Sequence, residues 1–199
     1  MADTKISAMP NATTPLTGAE LVPLVQSGVN VKSTISAYND FVRAAYFNHG
    51  AFSSSVDQTG SITVGTAMTF NSTDIADGVT LVSGSRLTVP VTGTYNIQFS
   101  AQLENIDNLQ EIATIWFRVN GVDVTNSGTQ ITVPARKNAN VYGYAVASWN
   151  IFLDLTAGQY VEIVWLPAVA SLTLQALPAG TTPTYPAIPS VIATVNQVG

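Results

Sequence analysis

Cysteine is absent from the 199 residues. That excludes disulfides, thiolate zinc sites and cysteine nucleophiles, and it leaves the redox compartment open. Charge is scarce: charged residues are 10% of the chain, against roughly 25% in an average soluble domain. The seven Lys and Arg are scattered and the net charge is −5, so the clustered bases that bind a nucleic-acid backbone are lacking. No apolar run reaches the ~18 residues of a transmembrane helix, so no membrane insertion is expected. The opening MADTKISAMP has no basic stretch followed by an apolar one, so it does not read as a signal peptide. There is no heptad stalk, no internal repeat and no collagen-type glycine triplet. A Gly-rich phosphate loop and a GxSxG elbow are also missing, so neither catalysis nor a cofactor is expected.

What fills the space is neutral and polar. Thr 24, Ser 16, Asn 14 and Gln 9 make 63 of the 199 residues, beside a hydrophobic share of 46%. The apolar share is enough for a real core. A surface that neutral repels its own copies weakly and suits packing into an assembly.

The first 45 residues differ from the rest. They carry Asp3, Glu20 and Asp40 against Lys5, Lys32 and Arg43, and so are neutral, which puts the whole −5 on residues 46–199. Pro10, Pro15, Gly18, Pro23 and Gly28 interrupt them repeatedly. Apolar residues nonetheless recur at Ile6, Leu16, Leu21, Val22, Leu24 and Val25. This reads as an extended arm with sticky points, followed by a short helix to residue 45 with Ser33 or Ser36 as its N-cap. The segment 21–31 is expected to add a strand to a partner sheet.

From about Tyr46 the chain reads as all-β. Strands are expected over 46–55, 66–71, 81–82, 86–89, 93–104, 111–119, 130–133, 141–155, 160–166, 172–176 and 189–198. Tyr95, Ile97, Phe99 and Ala101 alternate with Asn96, Gln98 and Ser100, the mark of one buried face. Asn120-Gly121 and Ala157-Gly158 are tight-turn signals. Many short strands without a helical pattern indicate a sandwich of the jelly-roll or immunoglobulin type.

Two stretches carry resemblances. RLTVPVTGTYNIQF, beginning at Arg86, resembles the central strand pair of the complement-globular-head and tumour-necrosis-factor jelly rolls, which read apolar-x-x-Pro-x-x-Gly-x-Tyr-x-aromatic there. Phe117-Arg118-Val119-Asn120-Gly121, then the run to Leu155 and the one from Tyr160 to Trp165, follow in that family's order. This resemblance covers roughly 51–198 and implies a compact trimeric jelly roll, here without the collagen stalk of the complement proteins. Residues 5–34, KISAMPNATTPLTGAELVPLVQSGVNVKST, resemble the leader KISxLPxAxxLTGxELVPVVQxG of tailed-bacteriophage virion proteins. Met9 stands for the usual Leu and Ser27 for the usual Gly. That leader implies an attachment arm on a particle, and with it a virion surface protein made in the bacterial host cytoplasm.

Candidate chemistry is thin. His49 is the single histidine, and without cysteine it builds no zinc site of the usual kind. Glu104, Asp107 and Glu111 lie close to Asn105 and Asn108; hard oxygens so spaced suit calcium or a glycosidase pair, but the commonest fate of such a run is a solvated loop. Asp74 and Asp77-Gly78 fit an Asx-type turn. No metal site and no catalytic residue are assigned. Tyr142, Tyr144, Trp149 and Ile151 are the trimer-interface candidates; they lie on a run apolar on both faces, which is expected to meet the core on one side and the subunit interface on the other. Trp116 and Trp165 read as core. The tract from Pro178 to Pro189 reads as a rigid extended loop suited to contact.

The expected function is therefore that of a trimeric capsid-decorating protein of the cement or head-fibre kind. The alternative is a short tail fibre or receptor-binding protein touching the host surface. The expected partners are two further copies, other virion proteins (capsid, portal or tail) and a host glycan or protein. An arm of about 45 residues at ~3.3 Å each reaches only a short way, which favours decoration over a fibre.

Overall fold

The computed structural model describes residues 16–199, and the chain divides into two units at Ala45/Tyr46. In the first unit β1 (Leu21–Gln26) and β2 (Val29–Thr34) form an antiparallel hairpin, and α1 (Ile35–Tyr46) follows directly. The segment expected to be extended and to join a partner's sheet is thus paired within its own chain. The turn explains why: Ser27 and Gly28 both have positive φ (52° and 79°), the geometry that a two-residue type I′ hairpin requires. The helix cap is neither Ser33 nor Ser36. It is Thr34, whose Oγ1 accepts the Ala37 N–H at 3.0 Å.

The second unit is a two-layer β-sandwich. Its strands are β3 (His49–Ser54), β4 (Gln58–Thr59), β5 (Thr66–Ala67), β6 (Ser72–Asp77), β7 (Thr80–Val82), β8 (Arg86–Thr88) and β9 (Gly93–Asn105). They continue with β10 (Glu111–Val119), β11 (Val122–Asp123), β12 (Thr129–Val133), β13 (Gly143–Leu155) and β14 (Tyr160–Pro167). Last come β15 (Leu172–Leu174), β16 (Gly180–Thr181), β17 (Thr184–Tyr185) and β18 (Val191–Gln197). One sheet has the order β4-β15-β9-β18-β3-β6 with β13 on the other side of β9; the second has β11-β10-β14-β8-β7 with β12 on β10 and β5 on β14. All pairings are antiparallel.

The period-2 text becomes the core. Tyr95, Ile97, Phe99, Ala101 and Leu103 of β9 point inward against Ala113, Ile115 and Phe117 of β10 and Val161, Ile163 and Trp165 of β14, all buried. Phe99, Phe117 and Trp149 pack edge-to-face, with centroids 4.6–6.3 Å apart. The Pro-x-x-Gly-x-Tyr stretch also gains a physical reason. A Cβ on Gly93 would collide with the Gly199 carbonyl, and buried Tyr95 donates its hydroxyl to Val91 O at 3.0 Å.

Several expectations are corrected. The strand from residue 46 starts at His49, because α1 continues through Tyr46. The strand expected over 141–155 starts at Gly143, where any Cβ would collide with the Pro134 carbonyl. Trp116 is not core: it shares the outward parity of Thr114 and Arg118 and donates Nε1–H to Asp123 Oδ1 at 2.7 Å. Strand β6 was hidden in the sequence, since STDIAD has neither alternation nor β-branched runs and serves as an exposed edge. Among the described residues no helix is long and apolar enough to cross a membrane.

Candidate assembly surfaces

Residues 16–45 form a small, well-specified unit. The Glu20 carboxylate accepts the N–H of Thr17 and Gly18 and the Thr17 hydroxyl, each at 2.8 Å. Those bonds, the one from the Thr17 backbone first, hold its pKa down at about 2. Gly18 has φ +89°, and a side chain there would run into Ser36. Its carbonyl accepts the Ser36 N–H, and Glu20 O accepts that of Ile35, both at 2.9 Å. The LTGAE text is therefore a loop bolted to the start of the helix. Yet α1 has no buried residue. Leu16, Leu21, Leu24 and Val25 are exposed, Val25 by 72% and Phe41 on the helix by 69%; Val22 is half-buried. Ile6 lies outside the described residues.

The second surface is the outer face of the sheet built on β9. Tyr144, Val146 and Phe152 of β13, Ile192 of β18 and Ile75 of β6 are exposed there. Asn96, Gln98, Ser100, Ser148, Asn150 and Thr194 lie between them by register. Over the two serines the face dips into a depression of about 230 Å³, also touched by Gln98, Ile192 and Thr194. Among the described residues β13 pairs with β9 alone, so one edge of this long strand is unpaired. Tyr144 faces outward and Tyr142, half-buried, precedes the strand. Trp149 and Ile151 have the opposite parity and pack against the core. The four residues expected at one interface do not share a face, and the outward members of the run are Tyr144, Val146 and Phe152.

The polar candidates resolve into structure-forming contacts. In the loop after β9, the Asn105 amide donates to Leu109 O and Pro134 O, and its Oδ1 accepts the Asp107 N–H. Asp107 in turn accepts the Leu109 N–H. Asp74 accepts hydroxyls of Ser53 and Ser72, and the His49 ring contacts Phe47 O at 2.9 Å. Among the described residues no group of three or more His, Asp or Glu is placed to hold a metal ion. Glu104 is different. It lies on the outer face opposite Tyr144, is 7% exposed, and its Oε2 has no hydrogen-bond partner. Burial, with Asp57 nearby, raises its pKa, against the Tyr144 and Gln175 side chains.

The Pro178–Pro189 tract is no plain loop. Strands β16 and β17 make it a hairpin, closed at its base by a mutual Leu177–Ile188 backbone pair. Composition marked the tract as rigid; that it folds back on itself had no turn signal of the Asn-Gly kind to announce it. No protein-family model matches the chain, and no curated protein does.

Proposed function

We propose that this chain is a bacteriophage virion structural protein: a homotrimeric jelly roll that decorates the particle and is anchored by its N-terminal unit. The observation that carries this reading is the character of residues 16–45. Their polar signals (Glu20, Gly18, Ser27-Gly28, Thr34) all go into holding one local shape, while the apolar side chains on that shape stay uncovered. A unit too small to bury its own apolar residues is stable when it is docked. The phage-leader resemblance names the class of surface it docks on. The jelly-roll reading is supported by strand order. In each sheet the central strands have neighbours distant in sequence, as when β9 lies between β13 and β18 and β14 lies between β8 and β10, a pattern that fits Greek-key connectivity. Self-association is supported by the outer face of the β9 sheet, which presents Tyr144, Val146, Phe152 and Ile192 among neutral polar residues. No reaction is assigned.

The test compares the full chain with one lacking residues 1–34, by sedimentation with and without particles. Both are expected to sediment as trimers, and only the full chain to travel with the particles. A truncated chain that still binds particles, or that loses its trimer, would overturn the division of roles.

A further inference from the structure

The hairpin β1–β2 is a sheet of two strands, and among the described residues no third strand joins it. Two strands alone are marginal in water; a third strand or a covered face is what makes such a sheet stable. Helix α1 gives no sign of supplying the cover, since none of its residues is buried. The hairpin is nonetheless firmly specified, by the Ser27-Gly28 turn and by the Glu20 and Thr34 contacts on either side of it. It is held in one shape and is one strand short of a stable sheet.

Its two edges differ. A two-residue type I′ loop is closed by a hydrogen-bonded pair, here Gln26 with Val29, and bonded pairs alternate with open ones from there. Leu24 with Val31 and Val22 with Ser33 are therefore bonded across the hairpin. Leu21, Pro23 and Val25 of β1, like Asn30 and Lys32 of β2, turn their main-chain groups outward. Pro23 has no N–H, so the outer row of β1 is broken in its middle. β2 has no proline, and the N–H and C=O of Asn30 and Lys32 make an unbroken row. Such an edge, unlike a bare face, prescribes its occupant, because donors and acceptors alternating at strand spacing are matched by another extended backbone.

The edge also carries one charge. Lys32 is exposed and is the only charged residue from 21 to 34. A lysine in the middle of an open edge opposes pairing with a second β2, which would set Lys32 or neutral Asn30 across from it. It favours a strand that brings an acid. We infer that the outer edge of β2 is the line along which the N-terminal unit docks, and that its occupant is an edge strand of another virion protein with an acidic side chain across from Lys32. The exposed Leu24 and Val29 share one face of the hairpin by register and extend the apolar face of the enlarged sheet. This inference names the partner of the anchoring unit and rests on the anchoring reading above.

Hydrogen exchange on the full chain, free and bound to particles, reads the edge directly. The Asn30 and Lys32 amides are expected to exchange fast in the free chain and about tenfold more slowly on particles, while the outward amides of Leu21 and Val25 stay fast. Two variants separate charge from backbone. Lys32→Thr removes the charge and is expected to bind particles about threefold more weakly. Lys32→Pro also removes the outward N–H, at a position whose register partner is already proline, and is expected to bind about tenfold more weakly than Lys32→Thr. Where Lys32→Pro disturbs the hairpin, the exchange result decides. Asn30 and Lys32 amides that stay fast on particles overturn the edge contact and leave the anchor standing. Parental binding by Lys32→Thr overturns the acidic partner. Protection that grows with concentration in the free chain gives the edge to a second copy and overturns the occupant. A full chain that does not sediment with particles overturns the anchoring reading itself.

Discussion

Glu104 is a carboxylic acid on the outer side of a sheet that is covered all the same. Its register partner Tyr144 and the Gln175 side chain stabilise the charged form in part, but burial and Asp57 outweigh them and the pKa is raised. An acid whose pKa is raised on folding favours the native state most below its ordinary value of about 4.3, and that contribution is lost as pH rises through the folded value. Glu104→Gln is therefore expected to raise stability by about 1 kcal/mol near neutral pH and to change little in acid, as read by thermal melts across pH. Equal melting at both ends would show that Glu104 is solvated. Glu20 has the opposite sign. Its pKa is lowered to about 2, so its support for the Thr17–Glu20 loop is present above the ordinary carboxylate value and fades as pH falls toward 2; an NMR titration of the carboxyl reads this directly. In the core, Phe117 meets both Phe99 and Trp149 edge-on, and Phe117→Ala is expected to cost about 3–5 kcal/mol in urea unfolding.

Among the elements, the hairpin and helix of the first unit depend on few groups. Thr34→Ala removes the cap on Ala37 and is expected to cost about 1 kcal/mol of local helix stability, seen as faster amide exchange in α1 and weaker particle binding, with the melt of the sandwich unchanged. The elements that were legible in the sequence are those whose signals are local. Period-2 alternation placed β9, β10 and β14 within a residue or two, and Asn120-Gly121, with φ of 49° and 82°, is the turn that its text announces. The hairpin at Ser27-Gly28 was missed because Pro10, Pro15 and Pro23 ahead of it read as breaks, and Pro23 proves compatible with a two-stranded edge. The hairpin of the Pro178–Pro189 tract was missed for a different reason: it is an insertion between β15 and β18, which pair with β9 at Leu103 and Ala101, and that is visible only when both are seen against the same neighbour. Parity likewise separates Tyr144 from Trp149 in the sequence, but which parity faces the core is decided by the opposing sheet.

At the scale of the whole molecule, charge and exposure complement each other. A chain with 10% charged residues presents two uncovered apolar surfaces, one on each unit. Scarcity of charge was legible at once and pointed to assembly; which surfaces serve it was not, because the outer residues of β13, β18 and β6 come together only through the sheet. In the proposed assembly three chains of 20.9 kDa join through their sandwiches, and the N-terminal units grip the particle. The most direct test of that claim is a cryo-electron-microscopy reconstruction of intact particles carrying the protein. The account predicts three-lobed density at regular positions on the shell, each lobe fitted by residues 46–199, with residues 1–45 running into the surface beneath. Single lobes, or contact with the particle made by the sandwich and not by the N-terminal unit, would contradict it.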